Sequence, residues 1–495
     1  MVTFVVSLIA LIIGFLVYGR VAERVFGPDD REAPAVRKAD GVDFIVLPPW
    51  RIFMIQFLNI AGTGPIFGAI MGMWYGPAAF IWIIFGCIFG GAMHDYMSGM
   101  ISMRHDGSSL PKLTGRYVGR YARYVLQVMT ILLLVVAGVV FIYSPAIILS
   151  TIWGDKMMWM IVIFCYFILA TMLPVDKIIG RVYPFFAVSM LFMVLGLMVV
   201  LFIKHPALPE AWDHFGYWGA ERFGMKDDLF PGLFVTLACG AVSGFHATQS
   251  PMMARCLPDE QLGRPVFYGA MITEGLVALV WCAISNYFFF YGGWREVCTP
   301  ELIAQFEGQH DQSLIQFFDA PTVVKIICGS WLGVAGSVLA LLGVVAAPIT
   351  TGDTCFRSAR LIISEGLHIS QRNVIRRLTI SLPLFAIAML MLIWQIKNPD
   401  GFRTIWQYMG WMTQFLAAVS LWMCTAYLVR NQRFFWVTLV PAVFMTVVCT
   451  AFLFVSPTVL GLDTTWSYVL TAMVTMAVIV RFIIFRQKVK LVNEK

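Results

Sequence analysis

Residues 57–72 read FLNIAGTGPIFGAIMG, and residues 236–256 read TLACGAVSGFHATQSPMMARC. Both are apolar runs interrupted in the middle. Gly62-Thr63-Gly64-Pro65 interrupts the first. Gly240, Ser243, Gly244, His246, Thr248, Gln249, Ser250 and Pro251 crowd the second. Glycine lowers helix stability and proline removes a backbone donor, so each run loses several helical hydrogen bonds. In lipid that loss is tolerated only where neighbouring helices or a water-filled cavity satisfy the freed groups. Two such breaks predict a polar cavity inside a membrane bundle.

The surrounding composition places the breaks in a membrane. The chain has 495 residues, of which 59% are hydrophobic and only 13% charged, against about 25% charged in a soluble domain. Its mean hydropathy is +0.80. A bilayer core rewards stretches of roughly 20 apolar residues. Thirteen spans are expected at about 1–19, 52–73, 78–102, 125–152, 158–174, 183–203, 230–253, 265–292, 329–352, 376–396, 402–429, 434–455 and 466–485. The fold class is therefore an all-α polytopic membrane protein. The first span starts without basic residues and lacks a small-residue cleavage site, so it reads as a helix rather than a signal peptide.

Lys and Arg alternate with the spans. Segments after the odd-numbered spans hold 27 of the 35 basic residues. By the positive-inside rule the N-terminus lies outside and the C-terminus in the cytoplasm, in the inner membrane. The net charge of +7 thus reports orientation, not nucleic-acid binding. Six of the ten cysteines lie within apolar spans and behave as small hydrophobes. No CxxC or His-rich spacing supports a metal site or cofactor. Cys298 and Cys328 flank one outer segment and leave a disulfide open.

The chain reads as one transmembrane unit, 1–495: an N-terminal helix and cytoplasmic linker (1–50), two five-helix sets (51–203 and 230–429) and two accessory C-terminal helices (430–495). Each five-helix set opens with a broken span. Five is odd, so the second set enters from the opposite side, which is the pattern of an inverted repeat with a site between the broken helices. Free N–H groups at a half-helix N-terminus favour a carboxylate. The expected substrate-lining residues are Gly62, Thr63, Gly64, Ser243, Gly244, His246 and Thr248. The plain alternative is that these glycines serve helix packing.

Ionisable groups at membrane depth are costly and often functional. His94, Asp95, Glu274 and Asp353 join His246 as candidates to carry a proton. Residues 347–360, APITTGDTCFRSAR, add Thr350, Thr351 and Thr354 to Asp353 at the expected inner end of the ninth span. Hard oxygens of this kind suit sodium. Against that, the hydroxyls can bond to their own helix, and Asp353 can pair with Arg357 four residues on. The His94-Asp95 pair can equally be structural. The loop RHDGSSL, 104–110, reads as a membrane-edge anchor and turn with a structural or gating role.

GTGP at 62–65, AMHDY at 92–96, RHDGSSL at 104–110 and GDTCFRSAR at 352–360 resemble the carbon starvation protein family of CstA-type peptide transporters, in its shorter branch. The resemblance covers about residues 40–395. It implies peptide uptake in response to carbon starvation, or pyruvate uptake with protons, on a bundle similar to the five-plus-five repeat of the leucine-transporter (APC) superfamily. The expectation is a symporter, not an enzyme, for small peptides, amino acids or a short carboxylate, coupled to protons or sodium. Its partners are the small solute and the lipid bilayer; the oligomeric state stays open. Alternatives are a channel, a membrane nutrient sensor, or an intramembrane hydrolase using Ser243 and His246. The last lacks a strained nucleophile turn and an HExxH motif.

Overall fold

The computed structural model describes all residues except 40–43, 151–152, 173–174, 214–228, 309–313, 370–373, 399–400, 458 and 494–495. Among the described residues every regular element is helical. Ten helices are long and apolar enough to cross a bilayer, or eleven when one bent pair counts as a single span. The fifth expected span is a shorter helix, Lys156–Met172, and the seventh is split in two. The chain is a multi-pass membrane protein.

The elements used below are α1 (Val2–Phe26), α2 (Pro49–Ala61), α3 (Pro77–Arg104), α4 (Arg120–Ser150), α5 (Val175–Lys204), α6 (Leu229–Thr236), α7 (His246–Ala254), α8 (Glu260–Phe290), α9 (Ala320–Gly366), α10 (Gly401–Arg430) and α11 (Trp436–Val455). Two further helices, Val374–Lys397 between α9 and α10 and Thr464–Asn493 after α11, complete the bundle.

The first break falls where the sequence puts it. α2 stops at Ala61 because Gly62 adopts φ 46°, ψ −134°, a region essentially closed to side-chain-bearing residues. The chain restarts at Gly64 as a π-helical turn, Gly64–Gly68, and continues to Tyr75 at 50° to α2. The second break lies earlier than expected. Residues 237–245 are turns and extended chain, whereas His246–Ala254 is helical despite Pro251. Gly240 and Gly244 supply the interruption. The freed Gly244 N–H donates to the Thr413 carbonyl of α10 at 3.0 Å.

The two breaks touch. A Cβ on Gly64 would stand 2.3 Å from the Cβ of Cys239, and one on Gly68 would meet the Thr236 carbonyl at 3.0 Å. The second break also rests on a π-helical stretch of α3, Gly86–Gly91. A Cβ at Gly86 would meet the Ala241 methyl at 2.8 Å, one at Gly90 would meet Val242 at 2.6 Å, and one at Gly91 would fall 2.2 Å from the Ala241 carbonyl oxygen. Glycine is required here for close backbone approach.

The ninth expected span is longer than its apolar run suggests. α9 covers 47 residues with a kink at Gly333, so Thr350, Thr351, Asp353 and Thr354 sit well inside the helix rather than at its inner end. Arg357 and Arg360 truncate the hydropathy signal, yet both are buried in the bundle. The segment 293–328, expected on the outer face, contributes short helices, Gly293–Val297 and Pro300–Glu307, joined by Trp294, Phe306 and Phe318 ring contacts. Most of the other such segment, 204–229, lies outside the described residues. Cys298 and Cys328 are both free thiols, so no disulfide bridges them.

Gly91→Val should be among the most disruptive single changes, because its neighbour is backbone and cannot yield. Overpacking of this kind costs about 1–3 kcal/mol. A clear drop in the unfolding midpoint of the purified protein in detergent is expected. An unchanged midpoint would contradict the contact.

Candidate functional site

Four ionisable side chains from three helices meet in the interior. His94 and Asp95 come from α3, His246 is the first residue of α7, and Glu274 lies in α8. All four are fully buried. His94 Nδ1 lies 2.7 Å from Asp95 Oδ1, and His246 Nδ1 lies 2.8 Å from Asp95 Oδ2. His246 Nε2 stands 3.3 Å from Glu274 Oε2. An ionised carboxylate only accepts, so a charged Asp95 takes an N–H from each imidazole. His246 then links Asp95 to Glu274 through its two nitrogens. The sequence placed these four residues at membrane depth without showing that they form one chain.

The placement of His246 follows from the second break. The helix restarts at His246 once Gly244 has packed on the α10 backbone, where its Cβ would meet the Ala417 nitrogen at 2.1 Å. α7 packs directly along the 92–104 portion of α3, which brings the first turn of one helix to the Asp95 level of the other.

The other expected site residues separate into groups. Gly62 faces Phe141 of α4 and the Thr351 hydroxyl of α9. Gly64 lies on Cys239, and Gly244 lies on α10. The Thr63 hydroxyl is buried and without a hydrogen-bond partner among the described residues. Ser243 is buried with Cys239 Sγ 4.0 Å from its hydroxyl. Thr248 accepts from the Gln249 amide at 2.9 Å and donates to the Phe245 carbonyl at 2.7 Å. It also lines a cavity of about 230 Å³. That cavity lies between α2, α4, α7 and α9, and the loop residues Ser109 and Leu110 form its rim with Glu365.

The hydroxyls of α9 bond largely to their own helix. Thr350 and Thr351 both donate to the Ala347 carbonyl, at 2.9 and 2.8 Å, and Thr354 donates to Thr351 O at 2.8 Å. Thr351 also reaches the Leu58 carbonyl at 3.3 Å, beside the first break. Asp353 sits 3.6 Å from Arg357 Nη2 and accepts from the Tyr183 hydroxyl at 3.2 Å. The hydroxyls are satisfied within their own helix, which touches the broken span through Thr351, while Asp353 Oδ1 is buried without a hydrogen-bond partner among the described residues. Among the described residues no group of His, Cys, Asp or Glu side chains has the geometry of a metal site.

Two site features were missed in the sequence. Gln56 and Asn59 are fully buried on α2, and neither amide has a hydrogen-bond partner among the described residues. They lie three residues apart on α2, and Thr63 follows just beyond the break at Gly62. A polar triad inside an apolar run was the available signal. Burying an amide without a partner costs about 1–3 kcal/mol on protein scales, so this face is built for something other than stability.

Helical spans around a broken pair, with a buried ionisable chain, define a polytopic membrane protein of the transporter fold class. The chain belongs to the carbon starvation protein CstA family, whose pattern it matches over residues 1–152, 126–289 and 319–452. It is 42% identical over 339 residues to an uncharacterized membrane protein of Haemophilus influenzae, covering 58% of this chain and 91% of that one. It is 26% identical to the peptide transporter CstA of Escherichia coli, covering 90% of this chain and 79% of that one. Among solved structures, a manganese transporter of Eremococcus coleocola superposes with a TM-score of 0.52 at 11% identity, over 92% of this chain and 98% of that one. That likeness concerns the fold alone.

Asp95→Ala would leave two buried imidazoles without their acceptor. Each orphaned donor costs about 1–3 kcal/mol. The variant should unfold at a lower temperature than the wild type in detergent; an equal midpoint would mean that the bonds to Asp95 contribute nothing to the fold.

Proposed function

We propose that the chain is a secondary transporter that imports a small solute with protons across the inner membrane. The solute class is a small peptide, an amino acid or a short carboxylate such as pyruvate. The observation that carries this reading is the double position of His246. It is the first residue after a helix break and also the link between Asp95 and Glu274. Any motion of α7 therefore alters the buried ionisable chain directly.

The place of the proton follows from the same contacts. With Nδ1–H donated to Asp95, the other nitrogen of His246 faces a Glu274 oxygen. A bare lone pair against an ionised carboxylate would repel in a low-dielectric interior. A proton placed on Nε2 or on Glu274 would relieve that repulsion and join α7 to α8. Separating α7 from α8 releases it, and bringing them together captures it. His94, on the far side of Asp95, fixes the carboxylate in place. The α9 hydroxyls and Asp353 are already engaged, which favours the proton over sodium as the coupling ion.

The solute position is read from the breaks. Gln56 and Asn59 on α2, with Thr63 just past the break, offer unpaired donors and acceptors beside Gly62 and Gly64. The cavity at Thr248 is then the exit route toward the cytoplasmic loops. The two five-helix sets would rock around the breaks as an inverted repeat, with the N-terminus outside by the positive-inside bias. The membership of the CstA family, and the peptide transporter named among its relatives, support import of a small nutrient. The hydrolase alternative draws no support from Ser243, whose near neighbour is a thiol, while His246 is turned to two carboxylates.

Two variants test this in proteoliposomes loaded with candidate dipeptides, amino acids and keto acids. Glu274→Gln should keep solute counterflow but lose accumulation driven by an inward pH gradient. Intact gradient-driven accumulation would remove Glu274 from coupling. Accumulation by the wild type should be unchanged when sodium is replaced by choline. Thr248→Trp should fill the cavity and abolish counterflow by at least an order of magnitude, with the unfolding midpoint retained. Wild-type exchange in that variant would place the pathway elsewhere.

A further inference from the structure

An apolar groove of about 500 Å³ runs along the outside of the bundle between α1, α3 and α11. Tyr18, Phe89, Trp436 and Phe444 form its walls, and Gly90 and Val242 its floor. Tyr18 and Phe89 are packed edge to face at 4.7 Å. Phe89, Trp436 and Val440 remain exposed. In a bilayer such a groove is covered by hydrocarbon, since neither water nor a polar chain can occupy it at that depth.

Its length and its rim specify the hydrocarbon further. From Trp436 to Met445, both of which line it, α11 rises by about 14 Å at 1.5 Å per residue. That is about half of a hydrocarbon core roughly 30 Å thick, one leaflet's depth. At the end marked by Tyr18, Val21 and Trp436 stand three exposed arginines, Arg20, Arg24 and Arg433. None of them makes an ion pair among the described residues, whereas the neighbouring acid Glu23 lies 3.5 Å from Arg264. The α1 terminus and Arg433 are in contact: a Cβ on Gly27 would meet the Arg433 guanidinium at 3.0 Å. Arg24, one turn beyond Val21 on α1, lies on the groove side of that helix. Positive charge gathered at the interfacial end of an interhelical groove is how proteins select anionic headgroups.

We propose that this groove binds one acyl chain of an anionic glycerophospholipid, with the headgroup phosphate held by Arg24 and Arg433. The floor gives the site a consequence. Val242 belongs to the second helix break, and Gly90 belongs to the π-helical stretch on which that break rests. A chain seated in the groove bears directly on the broken segment, so its occupancy biases the position of that segment and of His246 four residues on. Binding itself depends only on the membrane fold and stands apart from the identity of any solute.

The test uses the full-length protein in phosphatidylcholine nanodiscs with a trace of phosphatidylglycerol carrying a photoreactive diazirine in one acyl chain. A phosphatidylcholine probe with the same chain is the comparison. The phosphatidylglycerol probe should label peptides containing Phe89 and Phe444 several-fold more, at about fivefold per arginine engaged. Unlabelled phosphatidylglycerol should compete that labelling away, and unlabelled phosphatidylcholine should not. The double variant Arg24→Gln/Arg433→Gln should label equally with both probes. Equal labelling by the two probes in the wild type, or a preference that survives in the double variant, overturns the proposal. The competition needs no variant, so it decides the matter even if the double variant folds poorly.

Discussion

Backbone-to-backbone contact at the helix breaks governs this bundle. Residues 237–245 interrupt the regular helical ladder, keeping only scattered bonds such as Leu237 N–H to Leu233 O and Val242 N–H to Ala238 O, and they survive because three other elements come close enough to receive them. The π-helical glycines of α3, Gly64 of the first break and the α10 backbone at Leu416 and Ala417 all approach this segment to distances that leave no room for a side chain. Fixing α7 in that cradle fixes His246, and His246 brings Asp95 and Glu274 together. The ionisable chain is therefore a product of glycine packing.

Packing and function are not rival explanations of the same glycines. Gly64, Gly86, Gly91 and Gly244 are packing residues by every distance around them. Their packing nonetheless creates the unwound segment and orients the histidine after it. Gly62 differs: its backbone conformation is one that only glycine adopts readily, and it ends α2 beneath the polar face of Gln56 and Asn59.

What the sequence made legible follows from how local each signal was. The first break was readable because Gly-Thr-Gly-Pro is a local instruction that no neighbour overrides. The second was displaced because Ser243, Thr248, Gln249, Ser250 and Pro251 look unfavourable for a helix, whereas Thr248 and Ser250 satisfy themselves on the carbonyls of Phe245 and His246. The end of α9 was misjudged because hydropathy treats Arg357 and Arg360 as surface residues. Burial among several helices makes them interior, with Arg357 donating to the Ala170 carbonyl at 2.7 Å. The His94–Asp95–His246–Glu274 chain is a contact across about 180 residues of sequence, and no local pattern encodes it.

The loop 104–110 is attached to the elements that a rocking motion would have to separate. Arg104 donates to Glu260, to the Gly27 carbonyl and to the Tyr427 hydroxyl. Asp106 pairs with Arg37 and Lys38, the Gly107 carbonyl accepts from Arg255, and Ser109 donates to Glu365 at the cavity rim. Most of these partners are exposed or half-exposed, and exposed ion pairs contribute about 0–1 kcal/mol each. The exposed pairs hold one arrangement at little cost, while the Arg104–Glu260 pair, buried at Glu260, is the part that is costly to break. Two carboxylates at this loop are held charged by their basic neighbours. The Lys38 ammonium bonded to Asp106 holds that carboxyl below the usual range, and the guanidinium of Arg31 holds the neighbouring Asp29 down at about 2. A change of pH between neutral and mildly acid therefore leaves Asp106 and Asp29 charged, while burial holds His105, in the same loop, below the ordinary imidazole range. In the transport cycle we propose, the proton acts instead in the buried chain around His246, whose Nε2 stands 3.3 Å from Glu274.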